Sequence, residues 1–328
     1  MKAASEILPT LLSLPTTLHE TIFNPHATSH ELLVLISALS LFWTLIFQIL
    51  HKTLTPYIQR QSWLKEAMGR EYDRVGVLMC RALSVNWTRD RYIEIMVRDW
   101  PKMQGIYLQH FVGGALCLPA VLGWGDEGRA ASLACLGVLS EMAWELSDMA
   151  DIFITRSMTS DGKERLPNKM VAIWMIHHSM TLSLGLPLVL KYRTLPELHW
   201  MTFNLQWAAA IAIGMNEYTK VLDLNKSKEF WTFRILNGVA FVIMAWMRGV
   251  HWLYLSGRLL SIWYRDEEWT FMLIGSVVCI LITGFNFVLC IMPFYKKMVK
   301  FGPSQKGVIH NEQNHEDDNT LDDAYNRS

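Results

Sequence analysis

The chain contains seven separate apolar stretches of roughly membrane-spanning length, and this pattern limits its fold more than any other feature. A helix that crosses the hydrocarbon core of a bilayer needs about 20 mostly apolar residues, and lipid-exposed backbone has to be helical to satisfy its hydrogen bonds. We therefore predict an all-α fold, a polytopic membrane bundle of seven spanning helices. The predicted spans are residues 31–50, 105–123, 130–154, 169–190, 199–219, 232–256 and 270–294.

The composition agrees with a membrane protein. Hydrophobic residues make up 51% of the 328 residues, and the 14 tryptophans suit the aromatic belts found at membrane interfaces. The formal net charge of zero gives no indication of a nucleic-acid partner. The five cysteines show no CxxC or similar spacing, so the sequence does not predict a cysteine-bound metal.

The distribution of basic residues predicts the orientation. Most of the 30 lysines and arginines lie in segments 51–104, 155–169 and 220–234 and after residue 294. Because basic residues collect on the cytosolic side of a membrane, these segments are predicted to face the cytosol. The N-terminal segment 1–30 is then lumenal.

Two regions flank the predicted core on the cytosolic side. The linker 51–98 encloses an apolar run around Val75–Cys80, which predicts an interfacial helix on the cytosolic leaflet, with a re-entrant segment as the alternative. The tail 296–328 is polar and acidic and is expected to be disordered. Three N-x-S/T sequons fall on this side and are predicted to carry no glycan, at Asn86, Asn225 and Asn326.

Two adjacent histidines, His177 and His178, lie within the fourth apolar stretch. An ionisable side chain inside a membrane span is costly and therefore indicates a functional site. Counted from Lys169, they lie about 12–14 Å into the membrane on the cytosolic side, and their side chains point about 100° apart. Thr181 follows His177 by one helical turn and is predicted to fix its tautomer through a hydrogen bond. A neutral histidine there can act as a general base, although interhelical hydrogen bonds that only stabilise the bundle are the alternative.

Acidic residues on other spans are possible partners for this pair. Glu141, Glu145 and Asp148 share one face of the third span, where acids should face the bundle interior or a wet cavity. Near the end of the fifth span, Glu217 is expected to orient a histidine, to accept its proton or to contact a polar headgroup. The alternative is an acid at the membrane interface that pairs with Lys220 or Lys226. Arg248 in the sixth span is expected either to pair with a buried acid such as Glu141 or to extend to the lumenal interface.

Several of these residues resemble a known family. The run His177-His178-Ser179-Met180-Thr181 is similar to the HHxxT motif of the TLC-domain family, which includes the ceramide synthases. Trp100–Gln104 before the second span, and the aromatic helix from Phe241 to Arg248, look like the equivalent family segments. The stretch Gly214–Glu217 lacks the His-Asp pair that ceramide synthases carry in the fifth span. The resemblance covers residues 99–295.

The resemblance implies a function in lipid metabolism in the endoplasmic reticulum membrane. The implied reaction is acyl transfer from acyl-CoA to a lipid amine or hydroxyl in a cavity for a long acyl chain. The alternative is a non-catalytic lipid-binding or lipid-homeostasis protein. No bound cofactor is expected, and no metal, because the sequence lacks the HxxH clusters of membrane di-iron oxidases. The expected partners are a membrane lipid and acyl-CoA, and a homo- or hetero-oligomer is left open.

The implied roles fall on two groups of residues. His177 or His178 would be the general base, with Glu217 or an acid of the third span to orient it. The remaining candidates are expected to contact substrate, namely Thr181, Glu141, Glu145, Asp148 and Arg248.

Overall fold

The structure is a computed structural model that describes Ile22, Asn24 and residues 27–300, and these residues form helices joined by short turns, with no strand among them. The expectation of an all-α fold is therefore confirmed. In chain order the helices are α1 Ser29–Ile58, α2 Ser62–Glu71, α3 Val77–Leu83, α4 Arg89–Leu122, α5 Glu127–Met158, α6 Gly162–Arg165, α7 Asn168–Tyr192, α8 Pro196–Val221, α9 Ser227–Arg265 and α10 Trp269–Lys300. A π-helical turn joins α2 to α3, and one interrupts each of α9 and α10, at Tyr72–Gly76, Ala245–Val250 and Asn286–Ile291.

Five of these helices are long and apolar enough to cross a membrane, namely α1, α4, α7, α9 and α10. The composition is therefore compatible with a multi-pass membrane protein. The helices α5 and α8 contain the other two predicted spans and are also long, with 32 and 26 residues. They carry more polar groups, such as the buried Glu145 of α5 and the buried Asn204 of α8.

Helices α4, α5 and α8 form the centre of the bundle. Helix α5 packs against α1, α4, α7 and α8, and α8 also packs against α9. Glycine permits the closest approach, since a Cβ added to Gly137 of α5 would lie only 2.7 Å from the carbonyl oxygen of Gly113 in α4. Glu141, Glu145 and Asp148 of α5 are buried between these helices, whereas Asp151 near the end of α5 is exposed.

Short signals in the sequence define the helix ends. Thr28 and Glu31 form a reciprocal capping box that begins α1. Gly123 ends α4 in the left-handed conformation at φ +66°, where a side chain would be strained. The first helix continues to Ile58, beyond the predicted residue 50, and the second span belongs to a helix that already starts at Arg89.

The linker between α1 and α4 is thus mostly helical and lies at one end of the bundle. Arg70 and Arg74 of this region donate hydrogen bonds of 2.9 Å to the carbonyl oxygens of Val221 and Lys220 at the end of α8. Its apolar residues Leu64 and Met68 pack with Val97, and Cys80 packs with Tyr92, both from the first turns of α4. The segment therefore covers the bundle end.

Ion pairs tie the loops of this same end together. Arg91 binds Glu164 and Asp161 of the α5–α7 loop at 2.7 and 3.2 Å, and Arg165 binds Asp99 at 2.6 Å. At the opposite end, Arg258 pairs with Glu197, and Lys191 with Glu268. The segments predicted to share the cytosolic side therefore meet at one end. The predicted N-terminal segment and the tail lie outside the described residues, apart from residues 22, 24, 27–30 and 296–300.

Candidate functional site

A cavity of about 60 Å³ lies among helices α4, α5, α7, α8, α9 and α10. One part of its wall is polar and the other part is apolar. The polar part comprises His110, Glu141, His177, Thr181, Thr202, Gln206, Arg248 and Asn286. The apolar part comprises leucines, methionines and a tryptophan, including Leu184, Leu188, Leu198, Met201 and Trp252. Such a wall suits a molecule with a polar group at one end and a hydrocarbon portion at the other.

His177 is the member of the histidine pair that lines this cavity. Its ring stacks on Phe285 of α10, with centroids 4.5 Å apart and planes inclined by 9°, which fixes the orientation of the imidazole. The prediction that Thr181 fixes its tautomer is wrong. The Thr181 hydroxyl donates to the backbone carbonyl of His177 at 3.2 Å, because a threonine within a helix readily bonds the carbonyl one turn earlier.

His178 lies behind the cavity wall, buried against α5. Its Nε2 lies 2.9 Å from an oxygen of Asp148, and its Nδ1 lies 3.6 Å from Glu145. The second oxygen of Asp148 accepts from Lys102 of α4 at 2.7 Å, and Lys102 also binds Asp151 at 2.8 Å. A chain of polar groups therefore runs from the bundle end at Lys102 to His178.

Glu145 is the least satisfied of the buried acids. Its side chain has no solvent exposure, and within the part of the chain that the structure describes neither carboxylate oxygen has a hydrogen-bond partner. One donor atom each from Glu145, His177 and His178 lies within 4.8 Å of the others. These three residues have the composition and the proximity of a metal-binding set.

Glu141 contacts a different helix. It accepts a hydrogen bond of 2.8 Å from Gln109 of α4, and its other oxygen lies 3.5 Å from His110. The ring of Trp144 lies edge-on to both His110 and His178, with centroid distances of 5.1 and 5.4 Å. On the shared face of α5, Glu141 therefore contacts residues of α4, whereas Glu145 and Asp148 face His178.

Arg248 follows neither expected arrangement. It is buried, and its contacts in the described residues include no carboxylate. It donates instead to the carbonyl of Leu205 at 2.6 Å, to Asn286 at 3.1 Å and to the sulfur of Cys290 at 3.4 Å. Arg248 and its two α10 partners all lie in π-helical turns, which are frequent at functional sites. A cation bonded only to neutral groups therefore lines the cavity.

Glu217 is not brought to the histidine pair. Its carboxylate accepts from Lys220, one turn later in α8, and it is not among the residues that line the cavity. It belongs instead to the charged bundle end near Arg74 and Lys297. A lysine three residues away in the same helix is within reach of the carboxylate, which favours this local pair.

Sequence reasoning missed or undervalued several residues of the site. His110 was not among the predicted site residues, yet it is buried and lines the cavity. Lys102 and Asn286 were not predicted as site residues at all. Asn286 and His110 each stand as a polar residue within an apolar stretch, and this was the signal in the sequence that could have identified them.

The comparisons with known proteins add no relative. No protein-family model, no curated protein and no solved structure matches the chain.

Proposed function

We propose that this chain is a TLC-like membrane enzyme that transfers an acyl group from acyl-CoA to the amine or hydroxyl of a membrane lipid. The main support is the cavity in which His177, already oriented by Phe285, lies beside an apolar wall formed by α7 and α8. A lipid acceptor bound there would present its polar end to the imidazole and its hydrocarbon chain to the leucines.

The proposed reaction uses His177 as the general base. The imidazole takes the proton of the acceptor amine or hydroxyl while that atom attacks the thioester carbonyl carbon. The CoA thiolate then leaves and receives the proton back, so that the products are the acylated lipid and free CoA. Arg248 and Gln206 line the same cavity and suit the developing charge on the carbonyl oxygen.

His178 has a positioning role in this proposal. Its Nε2 is held by Asp148, whose charge is balanced by Lys102. Because His178 does not line the cavity, it acts through the adjacent His177 and the orientation of α7. Replacement of either histidine by alanine is expected to abolish turnover while the protein still inserts and folds.

We further propose that all seven long helices cross the membrane. Helices α5 and α8 exceed the length of about 20 residues that a span requires, and polar groups of their central turns, such as Glu145 and Asn204, are buried rather than exposed to lipid. The basic bundle end faces the cytosol, where acyl-CoA is found, and the endoplasmic reticulum is the membrane that the family resemblance implies.

A turnover assay tests the proposed reaction. The purified full chain, reconstituted in vesicles, receives a labelled long-chain acyl-CoA with sphingoid bases, diacylglycerol or sterol as acceptor. We expect a labelled lipid product with one acceptor class and release of one free CoA for each product formed. Absence of product with every acceptor, from protein that binds lipid and unfolds cooperatively, would contradict the proposal.

A non-catalytic lipid-binding protein is the second candidate. The observation that favours it is the pairing of Glu217 with Lys220, which removes one acid from the expected catalytic set. Native mass spectrometry of the detergent-purified chain separates the two candidates. A stoichiometric lipid with no acyl adduct and no turnover supports binding alone, whereas acylated product or an acyl adduct on α7 supports the enzyme.

A further inference from the structure

We propose that Glu145, His177 and His178 form a binding site for a divalent transition-metal ion of the zinc or ferrous class. The site shares His177 with the cavity of the proposed acyl transfer, and in this one respect the inference rests on the proposed function. The site joins two neighbouring positions of α7 to one position of α5, and the helices α5 and α7 pack directly against each other.

The distances suit a metal ion with little rearrangement. One oxygen or ring nitrogen from each residue lies within 4.8 Å of the others, and the Nδ1 of His178 lies 3.6 Å from the Glu145 carboxylate. Bonds of about 2.0–2.1 Å in a tetrahedral site hold ligand atoms about 3.3 Å apart. The donor atoms therefore need to close by at most about 1.5 Å, which side-chain rotation supplies.

The state of Glu145 is the strongest reason to place a cation here. A fully buried carboxylate whose two oxygens make no hydrogen bond in the described chain is costly, and the two donors that face it, the His178 ring and the Thr181 hydroxyl, do not reach hydrogen-bonding geometry. The Nδ1 of His178, which faces it, also has no hydrogen-bond partner there, and 3.6 Å is too long for a hydrogen bond. A cation between this nitrogen and the carboxylate satisfies both groups at once.

The surroundings of the three residues resemble the outer shell of a metal site. A histidine ligand usually gives its second nitrogen to a carboxylate, which fixes the tautomer and the ring orientation. Asp148 stands in that position, 2.9 Å from the Nε2 of His178, and Lys102 in turn holds Asp148. His177 is fixed by its stack on Phe285.

The donor set selects the class of metal. Two imidazoles and one carboxylate suit zinc or ferrous iron, whereas calcium and magnesium prefer oxygen ligands alone. Three protein ligands leave at least one position for another molecule. Because His177 lines the cavity, that position opens toward the acceptor and acyl groups.

The metal content of the purified chain tests the site. The full chain is produced with a tag that contains no histidine, purified without chelator, and measured by inductively coupled plasma mass spectrometry. We expect on the order of one zinc or iron ion per chain, removed by a strong chelator and restored by the metal alone. The variant Glu145→Gln should weaken metal affinity by at least about 100-fold, since a direct ligand contributes more than an outer-shell partner.

Glu141→Gln is the matched control, because Glu141 lies one turn earlier on the same helix, is also buried, and has Gln109 as a partner. This variant should retain the metal. If Glu145→Gln does not fold, cobalt added to chelator-treated wild type provides the second readout, as visible absorption bands of a nitrogen-and-oxygen site. Wild type that holds no metal and gives no cobalt bands would overturn the site, as would full metal retention by Glu145→Gln.

These results are separable from those of the acyl-transfer assay. A metal on His177 occupies the nitrogen that the proposed reaction uses as its base, so we expect the metal-loaded chain to be inactive and the chelator-treated chain to transfer acyl groups. Protein that is purified without metal, gives no cobalt bands and still transfers acyl groups would reject the metal site and retain the enzyme. Metal-loaded protein that gives no product even after the chelator has removed the metal would retain the site and reject the proposed reaction.

Discussion

The position of His178 depends on a lysine that comes from another helix. Asp148 lies between His178 at 2.9 Å and Lys102 at 2.7 Å, and both the aspartate and the histidine are buried. Removal of one partner from a buried ion pair leaves an uncompensated charge, which costs more than the intact pair contributes. Lys102 therefore supports the site although it does not touch the cavity.

We expect Lys102→Met to lower stability by about 2 kcal/mol, less than for a fully enclosed pair, because 26% of the Lys102 side chain is exposed. The double variant Lys102→Met/Asp148→Asn should recover part of this loss, since it removes the unpaired carboxylate. Thermal unfolding in one detergent measures both variants. Equal stability of the single variant and wild type would show that Lys102 does not balance Asp148.

Asp161 stabilises the basic end of the bundle in a manner that depends on pH. Burial favours its neutral form, but the hydrogen bond from Arg91 and the charges of Arg98 and Arg165 outweigh burial, so its pKa lies below the usual value of 3.8. A carboxylate with a lowered pKa stabilises the fold above its unfolded pKa and loses that effect as pH falls through the folded pKa.

The variant Asp161→Asn should therefore be less stable than wild type at neutral pH, and the difference should shrink as pH falls below about 4. Unfolding midpoints measured across this pH range provide the test. Glu66→Gln, at an exposed acid of α2 in the same bundle end, is the control and should leave the midpoint nearly unchanged. A difference for Asp161→Asn that is constant with pH would contradict the ionic explanation.

At the scale of helices, close packing at glycine determines which polar residues meet. Gly137 of α5 faces the backbone of α4 at Gly113, and the Oε1 of Gln206 in α8 occupies the space beside Gly113. A side chain at Gly137 would push α5 away from α4, and the contacts of Glu141 with Gln109 and His110 depend on that separation.

We expect Gly137→Ala to destabilise the protein by about 1–3 kcal/mol through overpacking. The control is Gly257→Ala in α9, where an added Cβ has no atom within 4 Å and should be neutral or stabilising by up to about 1 kcal/mol. Unfolding midpoints in a common detergent compare the two. A Gly137→Ala protein as stable as Gly257→Ala would show that the two helices separate without cost.

The sequence predicted the helices and several residues of the site, but not the partners of those residues. The apolar stretches predicted helices, and the cost of charge in such stretches led to His177, His178 and the acids of α5. The partners of those residues depend on how helices cross, which a single sequence does not specify. Arg248 illustrates this, because its bonds to Asn286 and Cys290 require π-helical turns in two helices at once. Glu217 illustrates the opposite case. Its partner Lys220 lies three residues away in the same helix, so the spacing in the sequence was sufficient to predict the pair.

For the whole molecule, the central feature is a bundle with two different ends and a polar interior. Three segments meet at one end of the bundle, namely 62–102, 155–169 and 216–230. Ion pairs join the first segment to the second, and a hydrogen bond to a backbone carbonyl joins it to the third. The cavity extends from His177 toward apolar residues nearer the opposite end, such as Leu188 and Leu198. A water-soluble acyl donor would thus approach from the basic end and a lipid from the bilayer.

The proposed orientation predicts that no sequon carries a glycan. Asn86 and Asn225 lie at the basic bundle end, and Asn326 lies outside the described residues. Intact mass of the chain expressed in a eukaryotic membrane system, before and after glycosidase treatment, measures this directly. A mass shift at Asn86 or Asn225 would place the basic end in the lumen and would contradict the proposed orientation.

The claim on which the account depends most is that acyl transfer takes place at the histidine pair. The most direct measurement is the turnover rate of vesicle-reconstituted wild type, His177→Ala, His178→Ala and the double variant with labelled acyl-CoA and the accepted lipid. Each histidine variant should unfold cooperatively and should lose at least about 100-fold in rate, as expected for a positioned base. Full activity of the double variant would contradict the account.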